Sequence, residues 1–314
     1  MNAIREKGRE RMTQREDIVS LLSGLYDLHV HVWPDLVERS IDDVTLARQF
    51  RDLGWSGFAL KSHYFPTVER AKVVSSAVPG VDVVGAVVLN HAVGGLNPVA
   101  VDIAGRAGAR IVWLPTVDAA NESPEKQAAR GQSHLPFWAR IQAEVRASGI
   151  GLALISVWDA EGRFRGDLDQ CLDRIRQYDM ALATGHLARD EIFAVVRRAR
   201  ELGVQKIIVT HALFPSEALS IEDQVQLAEA GAYIEHCYTT FATGKCDWDA
   251  LFEAIRAVGP ERTLLSTDLG QKSNPSIVDG ILDFTSRLLD AGISPEAVRT
   301  MWVDNPRKLI GCQV

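Results

Sequence analysis

The 314-residue sequence carries 34 basic and 41 acidic side chains, a net charge of −7, with 46% apolar, 24% charged and 7% aromatic residues. This is the composition of an ordinary globular chain, and its acidic balance argues against nucleic acid or an anionic membrane as the main partner. No apolar run approaches the roughly 20 residues of a membrane-spanning helix, and no charged-then-apolar leader is visible, so a cytoplasmic protein is expected.

Residues 1–22 read as a charged tail ending in a short helix from about Arg15, and residues 23–314 as the folded domain. From Gly24 onward, short β-branched runs alternate with amphipathic stretches. Strands are expected at 26–32, 57–63, 81–90, 109–116, 180–186, 206–212, 232–237 and 263–268. Helical periodicity marks Asp42–Leu53, Thr67–Val78, Arg189–Leu202, Ser216–Ala230, Asp247–Val258 and Ser276–Asp290. Several of these open on a Ser, Thr or Asp cap, and glycine follows many of them. Cys171, Cys237, Cys246 and Cys312 are scattered without a CxxC and read as reduced thiols.

Strand ends recur at roughly 25–32 residues, apart from one step more than twice that length. Six βα steps of one size and a single long one predict an α/β fold of the (β/α)8 TIM-barrel type, a single domain. The rival open doubly wound sheet lacks its Gly-rich phosphate turn here. The long step is expected to hold an insertion after strand 4, roughly 117–180. It reads as a polar loop (Asn121–Gln132), a helix (Leu135–Ala147), the apolar run GLALISV at 151–157 and a hairpin turn at Glu161-Gly162. GLALISV also competes as a ninth strand for eight places.

Histidines gather at the strand ends. His29 and His31 form an HxH on the first strand, a spacing that puts both imidazoles on one face. His186 and His211 end the fifth and sixth strands, and Asp268 ends the eighth. Burying four imidazoles and a carboxylate at one barrel end is costly without a partner, and a divalent transition metal such as zinc supplies one.

On these residues the sequence resembles the amidohydrolase superfamily of metal-dependent barrel hydrolases. VDNPRKLIG at 303–311 also looks like the Asn-Pro helix that commonly closes those barrels. The resemblance implies one or two metal ions, a small-molecule substrate, and assembly as a homo-oligomer, as is frequent in that superfamily. The commonest pattern places a bridging carbamylated lysine or glutamate on strand 4, but IVWLPT at 111–116 has neither. Strand 2 instead ends in Lys61 and His63, on one face. Desolvation and nearby positive charge lower a lysine pKa, so carboxylation of Lys61 into a metal bridge is expected. A cationic substrate-binding Lys61 and a metal-ligating His63 are the alternatives.

The expected arrangement has His29, His31 and Asp268 on one metal, His186 and His211 on a second, and Lys61 between them. Asp268 is the catalytic proton carrier for attack by metal-activated water. His63, Tyr64 and His236 are candidates to bind the substrate oxyanion, and Asn90 and His91 to fix the substrate. Only one of Glu235 and His236 can face the barrel, and His236 is the expected one. His134 reads as a structural or surface residue, and Trp33, Trp113 and Phe65 as candidates to line an apolar pocket. The expected activity is hydrolysis of an amide, cyclic amide, lactone or ester. A mononuclear decarboxylase or deaminase, or a vestigial barrel serving as a binding or scaffold protein, are the rival readings.

Overall fold

Eight short runs of buried, mostly aliphatic residues form the frame of the protein. In the computed structural model, which describes residues 15–129, 137–151 and 153–311, they are β1 (Tyr26–Val30), β2 (Gly57–Leu60), β3 in two pieces (Asp82–Val84 and Ala86–Val88), β4 (Ile111–Trp113), β5 (Ala181–Ala183), β6 (Ile207–Val209), β7 (Tyr233–Cys237) and β8 (Thr263–Ser266). All neighbours pair in parallel and in chain order. The last strand returns to the first: His31 N donates to Leu269 O (2.8 Å), Asp268 N donates to His29 O (2.8 Å), and Val30 bridges Leu269. The result is the expected (β/α)8 architecture. Its strands are buried on both faces and therefore read as apolar runs rather than as alternations.

One layer of side chains, among them Leu28, Ala59, Val88, Trp113, Ala183 and Leu264, fills the barrel interior. Two larger clusters pack the opposite strand faces against the helices. The helix at 15–21 belongs to this outer packing, with Ile18 and Leu22 buried.

Two local irregularities set where side chains point. Between Asp27 and Val30, β1 has one residue more than β2, so Leu28 and His29 together oppose Ala59. This bulge lets β1 bury Leu28 in the interior and still turn His29 toward the same side. In β3, the break at Gly85 has a visible cause. The Thr67 hydroxyl donates to Leu60 O (2.8 Å) and accepts from Ala86 N (2.9 Å), occupying a ladder position. A Cβ at Gly85 would lie 2.6 Å from Val68 Cα.

The helices start where capping residues are available. Asp42, Asn97, Ser220, Ser276 and Ser294 each accept from backbone N–H groups one turn on. The stretch Ser216–Ala230 is helical only over Ile221–Glu229, because Ser220 is the true cap. Residues 216–219 instead form a turn that carries Glu217. The 121–132 segment, expected as a loop, contains a 3-10 turn (Ala120–Glu122) and a helix (Pro124–Ala129), and it buries Asn121, Glu122 and Gln127.

Among its described residues, GLALISV adds no ninth barrel strand. Ile155 makes a single bridge to Ala119 and packs into the helix-side core. The turn at Glu161-Gly162 is present, closed by the Trp158–Phe164 bridge with those rings 4.5 Å apart. His134 and Cys312 lie outside the described residues.

At the C-terminus, Pro306 sits in the first turn of the helix Asn305–Ile310. The buried Asn305 donates from Nδ2 to Pro260 O and Thr263 O, both at 2.7 Å, pinning this helix to the base of β8. Asn305→Ala leaves those two carbonyls without this donor. It is expected to cost about 1–3 kcal/mol, read as a lower urea midpoint with an unchanged slope.

Candidate metal centre

The C-terminal ends of the strands carry a closed ring of five imidazoles. Successive centroid separations are 5.5 Å from His29 to His31, 5.0 Å to His63, 6.1 Å to His186, 4.9 Å to His211 and 6.0 Å back to His29. Two acid–base groups join them. Lys61 Nζ lies 2.8 Å from His29 Nε2. Asp268 Oδ1 lies 3.3 Å from His29 Nε2 and 3.1 Å from His31 Nε2, and its Oδ2 accepts from Thr239 Oγ1 at 3.0 Å. Below them, Trp113 forms an apolar floor, its ring 5.9 Å from His29 and 5.5 Å from Lys61 Nζ.

The backbone around this ring is strained or unusually close. His211 and Asp268 have φ of 26° and 53°, in the region non-glycine residues avoid. At Gly270 (φ 127°) a Cβ would fall 1.5 Å from His31 O. Only glycine lets the chain after β8 pass that close to the HxH.

Three of the imidazoles are tied at Nδ1 to carboxylates that sequence reasoning missed. Glu235 Oε2 lies 3.2 Å from His29 Nδ1, Glu122 Oε1 lies 3.0 Å from His186 Nδ1, and Glu217 Oε2 lies 3.0 Å from His211 Nδ1. Glu235 and Glu122 favour a proton on Nδ1 and leave Nε2 as a lone-pair donor, the arrangement that orients metal-ligating histidines. Glu217 does the same when ionised, although burial raises its carboxyl to about 8. His31 differs, since its Nδ1 faces Arg39 Nη2 at 3.4 Å. Arg39 is itself bonded through Nε to Asp35 Oδ2 at 2.7 Å.

Burial governs the protonation of the ring. It pushes His31 and His211 down to about 3, helped by Arg39 and Lys61 respectively, and lowers His63 and His186 as well. Burial and Lys61 also oppose protonation of His29, but Glu235 and Asp268 outweigh them and raise it. Lys61 is lowered by burial against the pull of Asp268 and Glu235. Although burial opposes its ionisation, Glu235 is held at about 2 by His29 and His211, and Asp268 is held well below the usual carboxylate range by His29 and His31.

Whether such a site fits a divalent cation is decided by its donors. His29, His31 and Asp268 present one ligand atom each within 4.8 Å of one another. His186 and His211 add two oriented imidazoles, and burial keeps most of the ring neutral. The set fits zinc or a similar ion. The other three-donor group among the described residues, His29, Glu235 and Cys237, is a support. Glu235 there also accepts from His211 N at 3.1 Å, and burial raises the Cys237 thiol well above its ordinary value.

A family model described as a family of unknown function (DUF6282) matches residues 24–235. The chain belongs to this family. Within this DUF6282 chain the match takes in the five imidazoles, Lys61 and the three supporting carboxylates, and ends before Asp268. No curated protein matches. Among solved structures the chain is similar to an amidohydrolase from Pseudomonas aeruginosa (10% identity, TM-score 0.62, covering 94% of this chain and 99% of that one). It is also similar to the probable dipeptidase PvdM of that organism (14%, 0.64, 96% and 98%), and to an organophosphorus hydrolase from Deinococcus radiodurans (14%, 0.55, 94% and 94%). The fold is amidohydrolase-like.

The remaining candidates divide clearly. Tyr64 stands beside His63, its buried hydroxyl without a partner among the described residues. His91 is held by a contact from Nε2 to Ala153 O in the long β4–β5 connection. Trp33, Leu36 and Phe65, more than half exposed, follow β1 and β2 as an apolar rim, while Trp113 is the floor. Lys245, after β7, lies 4.2 Å over the Phe214 ring and forms no ion pair among the described residues.

The expectation for His236 is corrected. Its neighbour Glu235 takes the ring-facing position, so strand alternation sends His236 to the helix side, near Phe241. There it is buried with neither ring nitrogen partnered among the described residues, and burial pushes its pKa down to about 4 against the pull of Glu235. The unfolded chain takes up this proton near pH 6.5 and the native chain only near pH 4, so stability is lost as pH falls through that window. His236→Leu is therefore expected to be more stable than the parent. The margin grows by about 2 kcal/mol between pH 7 and pH 5, measured by urea unfolding at both pH values, with metal content unchanged.

Proposed function

We propose that this protein is a metal-dependent hydrolase that cleaves an amide, cyclic amide, lactone or ester bond in a small molecule. The observation that carries this reading is the ring of imidazoles, three of them fixed by carboxylates as Nε2 donors beside Asp268 and Lys61. In this reading His29, His31 and Asp268 hold one ion and His186 and His211 a second. When bound, divalent cations of this kind, zinc first among them, polarise a carbonyl oxygen and lower the pKa of water.

The chain's own groups do the rest. Lys61, buried and with a lowered proton affinity, reacts as the neutral amine. Its Nζ bonds to the carbon of carbon dioxide and releases a proton, giving a carbamate anion between the two donor sets. Asp268 Oδ1 takes a proton from the attacking water and returns it to the leaving group, while Thr239 holds its other oxygen. Trp113 closes the floor of the site, and the exposed apolar rim offers a surface to an apolar part of the substrate.

Metal content, determined elementally on protein purified without chelator, is expected to approach two ions per chain in bicarbonate-containing buffer. A content near one, unaffected by bicarbonate, would favour the mononuclear reading, in which Lys61 stays an amine. His211→Ala and Lys61→Ala are each expected to lose the second ion while keeping the fold. Glu122→Gln and Glu217→Gln weaken zinc binding about 10–100-fold in competition with a chromophoric chelator. Activity is sought among acylated amino acids, cyclic imides and lactones, each paired with an uncharged analogue because Lys245, over the Phe214 ring, forms no ion pair among the described residues. Metal-free protein from every preparation, with no zinc uptake, would sink the proposal.

A further inference from the structure

His63 differs from the other imidazoles of the ring in what its Nδ1 meets. That partner is the Thr116 hydroxyl, at 2.9 Å, rather than a carboxylate. The hydroxyl is already an acceptor, because Asn90 Nδ2 donates to Thr116 Oγ1 at 2.7 Å. Asn90 cannot turn its amide round. Its Oδ1 accepts from Thr116 N at 2.8 Å and from Asp118 N at 3.3 Å, and its Nδ2 also donates to His63 O at 3.0 Å. Every amide atom of this fully buried side chain is thereby assigned.

The Thr116 hydroxyl has one proton to give and no other acceptor among the described residues. With that proton given to His63 Nδ1 the hydroxyl is fully satisfied, and the imidazole proton then sits on Nε2. This is the opposite tautomer to the one the carboxylates favour for His29, His186 and His211. Those rings offer a lone pair at Nε2, whereas His63 offers an N–H there. The ring of His63 stacks on His31 and stands edge-on to His186, between the two donor sets, and the residue keeps 8% of its surface open.

We propose that His63 is a hydrogen-bond donor to the substrate oxygen that gains negative charge, rather than a further metal ligand, and that Asn90 and Thr116 are positioning residues that fix its tautomer. This inference rests on the hydrolase reading and assigns a role within that same site. It keeps His63 with the substrate-binding candidates of the sequence reading and sets aside the alternative in which it ligates the metal. A preorganised donor at a developing oxyanion accounts for about 10²–10³ in kcat where it has been removed from other enzymes. His63 is neutral in this account and loses no proton, so the step is a strengthening hydrogen bond.

The test begins with 15N-labelled, zinc-loaded protein, whose imidazole nitrogens report tautomer directly. His63 is expected to show protonated Nε2 and bare Nδ1, and a protonated Nδ1 overturns the proposal whether or not any substrate is known. Thr116→Val removes the hydrogen bond at Nδ1 and is expected to shift the His63 Nδ1 resonance with zinc content unchanged, and an unaltered spectrum would remove Thr116 from its role.

Once a hydrolysed substrate is in hand, His63→Gln, whose amide N–H can reach toward the Nε2 position, retains more kcat than His63→Asn. Both keep full zinc content. Equal loss in the two variants, or loss of zinc in either, contradicts the donor role. Absence of any turnover in the parent protein counts against the hydrolase reading and leaves the spectroscopic result standing.

Discussion

Five imidazoles and a lysine within a few ångströms of one another cannot all be cations in a buried pocket, and the site is organised around that constraint. Two positive charges 5 Å apart repel by several kcal/mol even at an effective dielectric near 20. Burial pushes most of the imidazoles toward the neutral form, and Glu235, Glu122 and Glu217 then decide which nitrogen keeps its proton. The acids that carry this order lie one layer away from the ring: Glu122 in the connection after β4, Glu217 in the turn after β6, Glu235 on β7. Neutral, oriented imidazoles are a precondition for holding a cation, and such acids supply it from the protein side.

The seam between β8 and β1 is where fold and site become one structure. The backbone bonds that join the two strands run from Asp268 N to His29 O and from His31 N to Leu269 O, so residues offered as ligands are also the residues that join the sheet. Strain collects at the same place, in the positive φ of Asp268 and the close pass of Gly270 over His31. Unfavourable backbone of this kind persists only where surrounding structure over-determines it. Here the seam hydrogen bonds and the packing under Trp113 do so.

Much of this was legible in the sequence. Apolar runs ending in His, Lys or Asp at near-constant spacing mark barrel strands, because strands buried on both faces read the same way wherever they fall. Which of Glu235 and His236 faces the ring was not legible, since alternation gives two equivalent phases and only the pairing of β7 with its neighbours selects one. Glu122 and Glu217 were hidden for a different reason. They sit in connections whose path depends on tertiary packing, and their signal is only a carboxylate in a polar segment. The one trace available in advance was local. Ser220 is a better helix cap than Ser216, with Asp223 three residues on completing a capping box, and this frees Glu217 to sit in a turn beside His211.

The bulge in β1 makes the His-x-His register fragile in a particular way. Strand pairing on either side of it is regular, so a chain shortened by one residue at Leu28 would keep its hydrophobic pattern and could still zip Asp27 and Val30 onto β2. Its first imidazole would then alone oppose Ala59 and take the interior place that Leu28 now fills, while the second stayed where it is. An alignment scored on the letters around this strand would call such a chain intact. Length between Asp27 and Val30, more than residue identity, is the quantity to count when deciding which relatives kept this arrangement of imidazoles.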